Sequence, residues 1–110
     1  MGAPSAGQVV LLPFPFSDLS RSKLRPALLL ARGGKSDWVA CQITSNSYAD
    51  SHAVELRGDA FSEGGLQRIS YVRPAKLFTA HESLFVASAG LLKPPALAQV
   101  RDAVVAVIRG

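Results

Sequence analysis

The run PALLLA at residues 26–31 constrains the fold more than any other stretch of the chain. It is almost continuously apolar, the pattern of a strand covered on both faces rather than one. Pro26 also pushes the residue before it, Arg25, toward extended geometry. Just upstream, Arg21, Lys23 and Arg25 occupy every second position, so in an extended chain they project from one side. Such a row is either the solvated approach to a strand or a clamp for an anion. Arginine in particular offers a planar fork of donors to phosphate oxygens. Periodicity alone leaves both readings open.

Other short segments surround this strand. Residues 8–16, QVVLLPFPF, read as a strand entering a loop, with Pro13 and Pro15 restricting it to a sheet edge or terminus. The polar connection PFSDLSRSKL has the length often given to functional loops. Residues 33–37, GGKSD, form a turn, and WVACQITS a third strand. In it Val39, Cys41 and Ile43 point one way and Ala40, Gln42 and Thr44 the other. NSYADSH is a loop, AVEL a short strand and RGDAFSEGG a turn-rich, flexible stretch. LQRISYV and LFVASAGLL supply two more strands. Past KPP, residues 95–109 are helical in pattern, with Leu97, Val100, Val104, Val107 and Ile108 at three- and four-residue spacing. Pro95 suits the first helical position and Arg109 the last turn. Val105 falls off that stripe, which points to cover on a second side, as a partner subunit would give. These elements describe a mainly β (α+β) chain: a small, strongly curved antiparallel β-barrel or sandwich with a C-terminal helix. Without repeats, low-complexity tracts or an internal boundary, residues 1–110 read as a single domain.

Bulk properties narrow the function. The chain has 110 residues, 48% apolar and 18% charged, as in globular proteins rather than disordered tails. A net charge of +4 favours an anionic partner modestly. Cys41 is the single cysteine, so no internal disulfide forms and a reducing compartment is the simpler setting. Its apolar surroundings, WVACQI, mark it as packing rather than nucleophile. The N-terminus lacks a signal-peptide pattern, and no apolar run approaches the ~20 residues of a membrane span. A soluble, cytoplasmic protein is expected, with no membrane partner.

Few residues offer conventional catalytic chemistry. Cys41, His52 and His81 are scattered without the paired spacing of a zinc site, so no metal is expected. SEGG lacks the strand–glycine–helix context of a phosphate loop, and no serine sits in a nucleophile elbow. Two polar clusters remain. One is the cationic row ending at Arg25. The other is QITSNSY, where Gln42 and Thr44 share a face at a strand end and Ser45, Asn46 and Tyr48 follow. Hydroxyls and amides there suit a ribose or base edge, and a loop tyrosine can stack on an unpaired base. A routine turn after a strand explains the same residues.

Taken together, GQVVLLPFPFSDLSRSKLRPALLLA, then ACQITSN, then YVRPAKLFT and SLFVASAGLL resemble the MazF/PemK family of type II toxin–antitoxin toxins, PemK-like members above all. The likeness runs from about Gly7 to Ile108. It implies a small SH3-like β-barrel with a C-terminal helix, of the kind shared with CcdB-type toxins, usually as a homodimer. It also implies a metal-independent, cofactor-free endoribonuclease that cuts single-stranded RNA, often mRNA, at short motifs. A cognate antitoxin with an acidic, partly disordered segment would neutralise it. Residue by residue, Arg25 matches the catalytic arginine, Thr44 the catalytic threonine and Arg73 the arginine implicated in PemK-type members. Arg21 and Lys23 would contact phosphates, and Gln42, Ser45, Asn46 and Tyr48 would bind RNA. PemK-type members commonly carry an aspartate two residues after the Arg73 position; this chain has Ala75. That departure motivates one alternative, an inactive RNA-binding relative; a non-enzymatic toxin of the same barrel acting by protein contact, as gyrase poisons do, is the other.

Overall fold

The structure, a computed structural model, describes residues 2–15, 22–46 and 50–110. Seven strands, β1 (Gln8–Pro15), β2 (Ser22–Arg32), β3 (Asp37–Thr44), β4 (Val54–Leu56), β5 (Phe61–Gly64), β6 (Ser70–His81) and β7 (Ala87–Leu92), precede one helix, α1 (Pro94–Arg109). All strand pairings are antiparallel, in the order β4-β6-β3-β2-β1-β7-β5. The two edge strands are at opposite ends of this order, yet Val54 and Leu56 of β4 and Phe61 of β5 belong to one core cluster with Leu28, Val72 and Val100. Only a sheet that curls on itself brings its edges together, and the result is a half-barrel closed by α1. The strongly curved β architecture expected from the sequence is what the chain adopts.

β2 is the two-faced strand that PALLLA demands. Leu28 and Leu30 enter the cluster under α1, whereas Ala27 and Leu29 enter a second cluster with Val10, Leu12, Trp38 and Ala40. β3 divides as expected: Cys41 and Ile43 join the first cluster and Ala40 the second. Cys41 is fully buried, and that burial pushes its thiol up to about 12, so it packs rather than reacts.

The prolines of β1 refine the edge expectation. β1 sits between β2 and β7, but its pairing with β7 ends at Leu11. At Pro13, β1 pairs only with β2, so its missing N–H interrupts no second ladder. The turn at 33–37 forms as read, held by Gly33 N–H donating to the Asp37 carbonyl (2.8 Å) and Arg32 Nη1 to the Lys35 carbonyl (2.9 Å).

Two segments differ from expectation. RGDAFSEGG is not wholly loop: it contains β5, which lies against β7 because Gly64 adopts φ +62° and Gly90 faces it without a side chain. β6 is longer than LQRISYV suggests, running through Pro74. Its ladder with β3 shifts register there: Cys41 pairs with Leu77 and its neighbour Gln42 with Arg73, leaving Pro74, Ala75 and Lys76 without a partner on β3. Such a bulge accommodates a proline that a regular central strand would reject.

α1 begins at Pro94, one residue earlier than the pattern indicates, and ends with Arg109 in its last turn. Val100 is fully buried, and Leu97 and Val104 pack on the core beneath it, while Val105 and Ile108 are exposed at 48% and 70%. The helix is also tied to the sheet by a charged side chain. The β2–β3 register skips Leu30, and its carbonyl accepts from Arg101 Nη2 (2.6 Å) and Nε (3.2 Å). Hydrogen bonds to charged donors are among the stronger ones. Arg101→Met, which keeps the apolar stem, is expected to lower stability by about 1.5 kcal/mol, read as a fall in the urea midpoint. An unchanged midpoint would show the latch contributes nothing.

Candidate functional site: the polar end of β2, β3 and β6

Residues paired across a ladder share a face of the sheet. Arg25 pairs with Leu12, Ala27 with Gln42, Gln42 with Arg73, and Thr44 with Tyr71. Alternation along β2 adds Lys23 to the side of Arg25. Lys23, Arg25, Gln42, Thr44, Tyr71 and Arg73 therefore present one polar surface at the same end of three neighbouring strands. Lys23 lies within β2 rather than on the loop before it, which fixes its direction relative to Arg25. Arg21 and Tyr48 lie outside the described residues.

The β2–β3 register begins at Ala27 and stops short of Pro26, which has no N–H to give. At this end of the ladder an open pocket of ≈ 260 Å³ is lined by Arg25 and Pro26 of β2, Ile43 and Thr44 of β3, and Ser45 beyond them. Gln67, Arg68 and Ser70 close it from the chain entering β6. Arg25 and Thr44 thus meet in one pocket whose floor is apolar and whose rim is polar. Thr44 Oγ1 accepts from the Asn46 N–H (3.2 Å), a local bond that turns the chain out of β3. Ser45 and Asn46 are exposed beside it.

Arg73 lies on the same face but has an acidic neighbour. Its Nε donates to Asp50 Oδ2 at 3.1 Å, and Asp50 Oδ1 accepts from the His52 N–H at 3.0 Å. The Arg73 hydrogen bond, followed by that of His52, holds the Asp50 carboxyl below its ordinary value. A depressed folded-state pKa contributes stability above the unfolded pKa and loses it as pH falls through the folded one. An NMR titration of Asp50 is accordingly expected to place its midpoint below ~3.9, with the pair intact throughout the neutral range. A midpoint at or above that value would show the pair to be open in solution.

The histidines stand apart. His81 pairs with Asp37, at the other end of β3 from Thr44, ~23 Å away at about 3.3 Å per residue. Its Nδ1 accepts from the Ser83 N–H (3.0 Å), capping a short helical turn. His52 reaches the site through its backbone N–H, which donates to Asp50 Oδ1. Among the described residues, no three His, Cys, Asp or Glu side chains gather as a metal site would require.

Arg68, Gln67 and Asp50 were not legible as site residues. Arg68 sits in a stretch whose alternation reads as strand, and it lines the same pocket as Arg25 from the chain entering β6. Asp50 is 23 residues from Arg73 in sequence, and the pairing of β6 with β3 on one side and β4 on the other brings them together.

No protein-family model and no curated protein matches the sequence. Solved structures do match. MazF from Deinococcus radiodurans superposes with a TM-score of 0.74 at 22% identity, covering 100% of both chains. The chain has the MazF fold. An endoribonuclease from a mycobacterial species, solved in complex with its cognate antitoxin, gives 0.73 at 18% identity over 99% of this chain and 96% of that one. The Mycobacterium tuberculosis toxin MazF-mt6 gives 0.71 at 16% identity over 93% and 96%. Such full coverage means that the MazF fold accounts for every strand described above and for α1.

Proposed function

We propose that this chain is a toxin of the MazF/PemK family, a single domain acting as a metal-independent, sequence-specific endoribonuclease on single-stranded RNA. The observation that carries the proposal is the convergence of Arg25 and Thr44 on one open pocket at the end of β2 and β3, within a polar face that also holds Lys23 and Arg73. RNA brings its own nucleophile, the 2′-hydroxyl, so the protein has to align it with the scissile phosphate and stabilise the added negative charge. Arg25 donates hydrogen bonds to the phosphoryl oxygens as that charge grows. Guanidinium holds its proton with a pKa above ~12, so it serves as a donor rather than a base. Thr44 orients a phosphate oxygen or the 2′-hydroxyl. Arg73 adds a second cationic donor. The 2′-oxygen–phosphorus bond forms as the phosphorus–5′-oxygen bond breaks, the 2′-hydroxyl giving its proton to water and the 5′-oxygen taking one from water, so the products are a 2′,3′-cyclic phosphate and a 5′-hydroxyl end. Gln42, Ser45 and Asn46 border the path that RNA takes from the pocket.

The remaining elements have their own support. A cytoplasmic antitoxin with an acidic, partly disordered segment suits a chain of net charge +4 with exposed Lys23 and Arg25. The exposed Val105 and Ile108 on α1 suit a homodimer. No helix among the described residues is long and apolar enough to cross a membrane.

Purified protein incubated with a diverse pool of single-stranded RNA in excess chelator tests the proposal. Cleavage leaving cyclic-phosphate ends is expected. Intact RNA would leave the protein-contact toxin as the better reading, and cleavage lost on chelation would overturn the metal-free chemistry. Affinity for a non-cleavable 2′-deoxy strand is expected to fall with salt, and Lys23→Ala to flatten the log–log slope by about 0.7, the value of one phosphate contact. An unchanged slope would place Lys23 off the RNA path.

A further inference from the structure

We propose that Asp50 is the positioning residue for Arg73, holding its guanidinium by Nε so that it meets the RNA phosphate in one orientation. The inference rests on the endoribonuclease reading and extends it to a residue outside the polar clusters named from the sequence. Three observations carry it. Both Asp50 oxygens are engaged, Oδ2 by Arg73 Nε at 3.1 Å and Oδ1 by the His52 N–H at 3.0 Å, so the carboxylate is itself fixed before it fixes the arginine. The pair is sheltered: the Arg73 and Asp50 side chains are 25% and 10% exposed, against 61% and 42% for Arg57 and Glu55, whose ion pair lies near the β4 end. The bond also employs Nε, the guanidinium nitrogen nearest the side-chain stem, so it fixes the plane of the group at its root.

The geometry argues for positioning and against proton transfer. A carboxylate bonded by a guanidinium and an amide N–H stays ionised through the neutral range and is a poor base. What it supplies is order. An arginine side chain has considerable rotamer entropy to lose, and a fixed acidic partner removes that loss from the reaction step. Position 75 offers no carboxylate, and Ala75 is exposed in the bulge of β6. The acidic group at Arg73 comes instead from the β3–β4 connection.

Asp50→Ala, Asp50→Asn, Arg73→Ala and the double variant Asp50→Ala/Arg73→Ala test the assignment in the full-length protein. With single-stranded RNA, Asp50→Ala is expected to lower kcat about 10- to 100-fold while KM stays within about twofold, the signature of a group misplaced in the transition state. Asp50→Asn, which keeps an acceptor, should recover part of the loss. The double variant should be no slower than Arg73→Ala, because both changes remove the same interaction. The Arg73 Nε–H NMR signal, read without RNA, should be sharp in the wild type and broadened by exchange in Asp50→Ala. Wild-type kcat in Asp50→Ala, or losses that add in the double variant, would overturn the proposal. If the wild type cleaves no RNA, the endoribonuclease reading fails by itself. An Nε–H signal unmoved by Asp50→Ala then overturns the positioning role separately, and a broadened one upholds it as a property of the folded chain.

Discussion

Arg25→Ala is expected to slow cleavage of single-stranded RNA by about 10²- to 10³-fold in kcat, with a melting temperature within ~2 °C of wild type. The size follows from where the charge develops. Attack by the 2′-hydroxyl crowds the phosphorus and adds negative charge to its oxygens, and a preplaced donor is worth most at that moment. The unchanged melting follows from placement: Arg25 is exposed at the end of β2, whereas the strand is held by Ala27, Leu28 and Leu29, all fully buried. A single-turnover assay separates this loss from weaker binding, which should change by a few-fold only. Full activity in the variant would remove Arg25 from the reaction. A collapse of the melting temperature would show instead that the side chain supports the fold.

Gly90→Val should strongly destabilise the β5 edge. A Cβ on Gly90 would stand 2.6 Å from the Glu63 carbonyl oxygen, 2.9 Å from the Gly65 nitrogen and 2.9 Å from Phe61 Cδ2. Two of those atoms are backbone and cannot turn aside. Gly90 is paired with Val9 on one side and Gly64 on the other, so relief on one side crowds the next ladder. Overpacking of this kind costs about 3 kcal/mol, or roughly 12–15 °C in melting temperature for a domain of this size. Phe61, 7% exposed and part of the main core, would be levered outward with β5. Melting within ~2 °C of wild type would mean that β5 can draw away at little cost.

The central strands were readable because their residues carry the signal locally. In β3 the division of Val39, Cys41 and Ile43 from Ala40, Gln42 and Thr44 needs only the pleat. PALLLA needs only its apolar composition to announce cover on both faces. β5 gave no such signal: FSEG is short and polar, and its place in the sheet depends on a partner, Gly90, that leaves room for it. The site was legible in the same uneven way. Arg25 and Thr44 stand out through their motifs, and both line the pocket just beyond the last β2–β3 pair, Ala27 with Gln42. Arg68 and Asp50 reach the site through the curl of the sheet and the pairing of β6 with both β3 and β4, which no local pattern records. Ile108 repeats at helical spacing with Val100 and Val104 and lies in α1, yet it is 70% exposed; spacing does not say where the surface beneath a helix ends.

The bulge at Pro74, Ala75 and Lys76 sets a rule about length rather than identity. In an unbroken strand, Arg73 and Leu77 would stand on the same face. Here Leu77 pairs with Cys41 and Arg73 with Gln42, adjacent residues on opposite faces of β3, so the odd number of bypassed residues reverses the sidedness of β6 part-way along. Ala75 and Lys76 are exposed, and many side chains can occupy their places. Gaining or losing one residue there is a different matter, since it would set the core face and the polar face of β6 against each other. For this segment the spacing between its two halves is fixed, Pro74 is held by its burial, and only the side chains at 75 and 76 are unconstrained by packing.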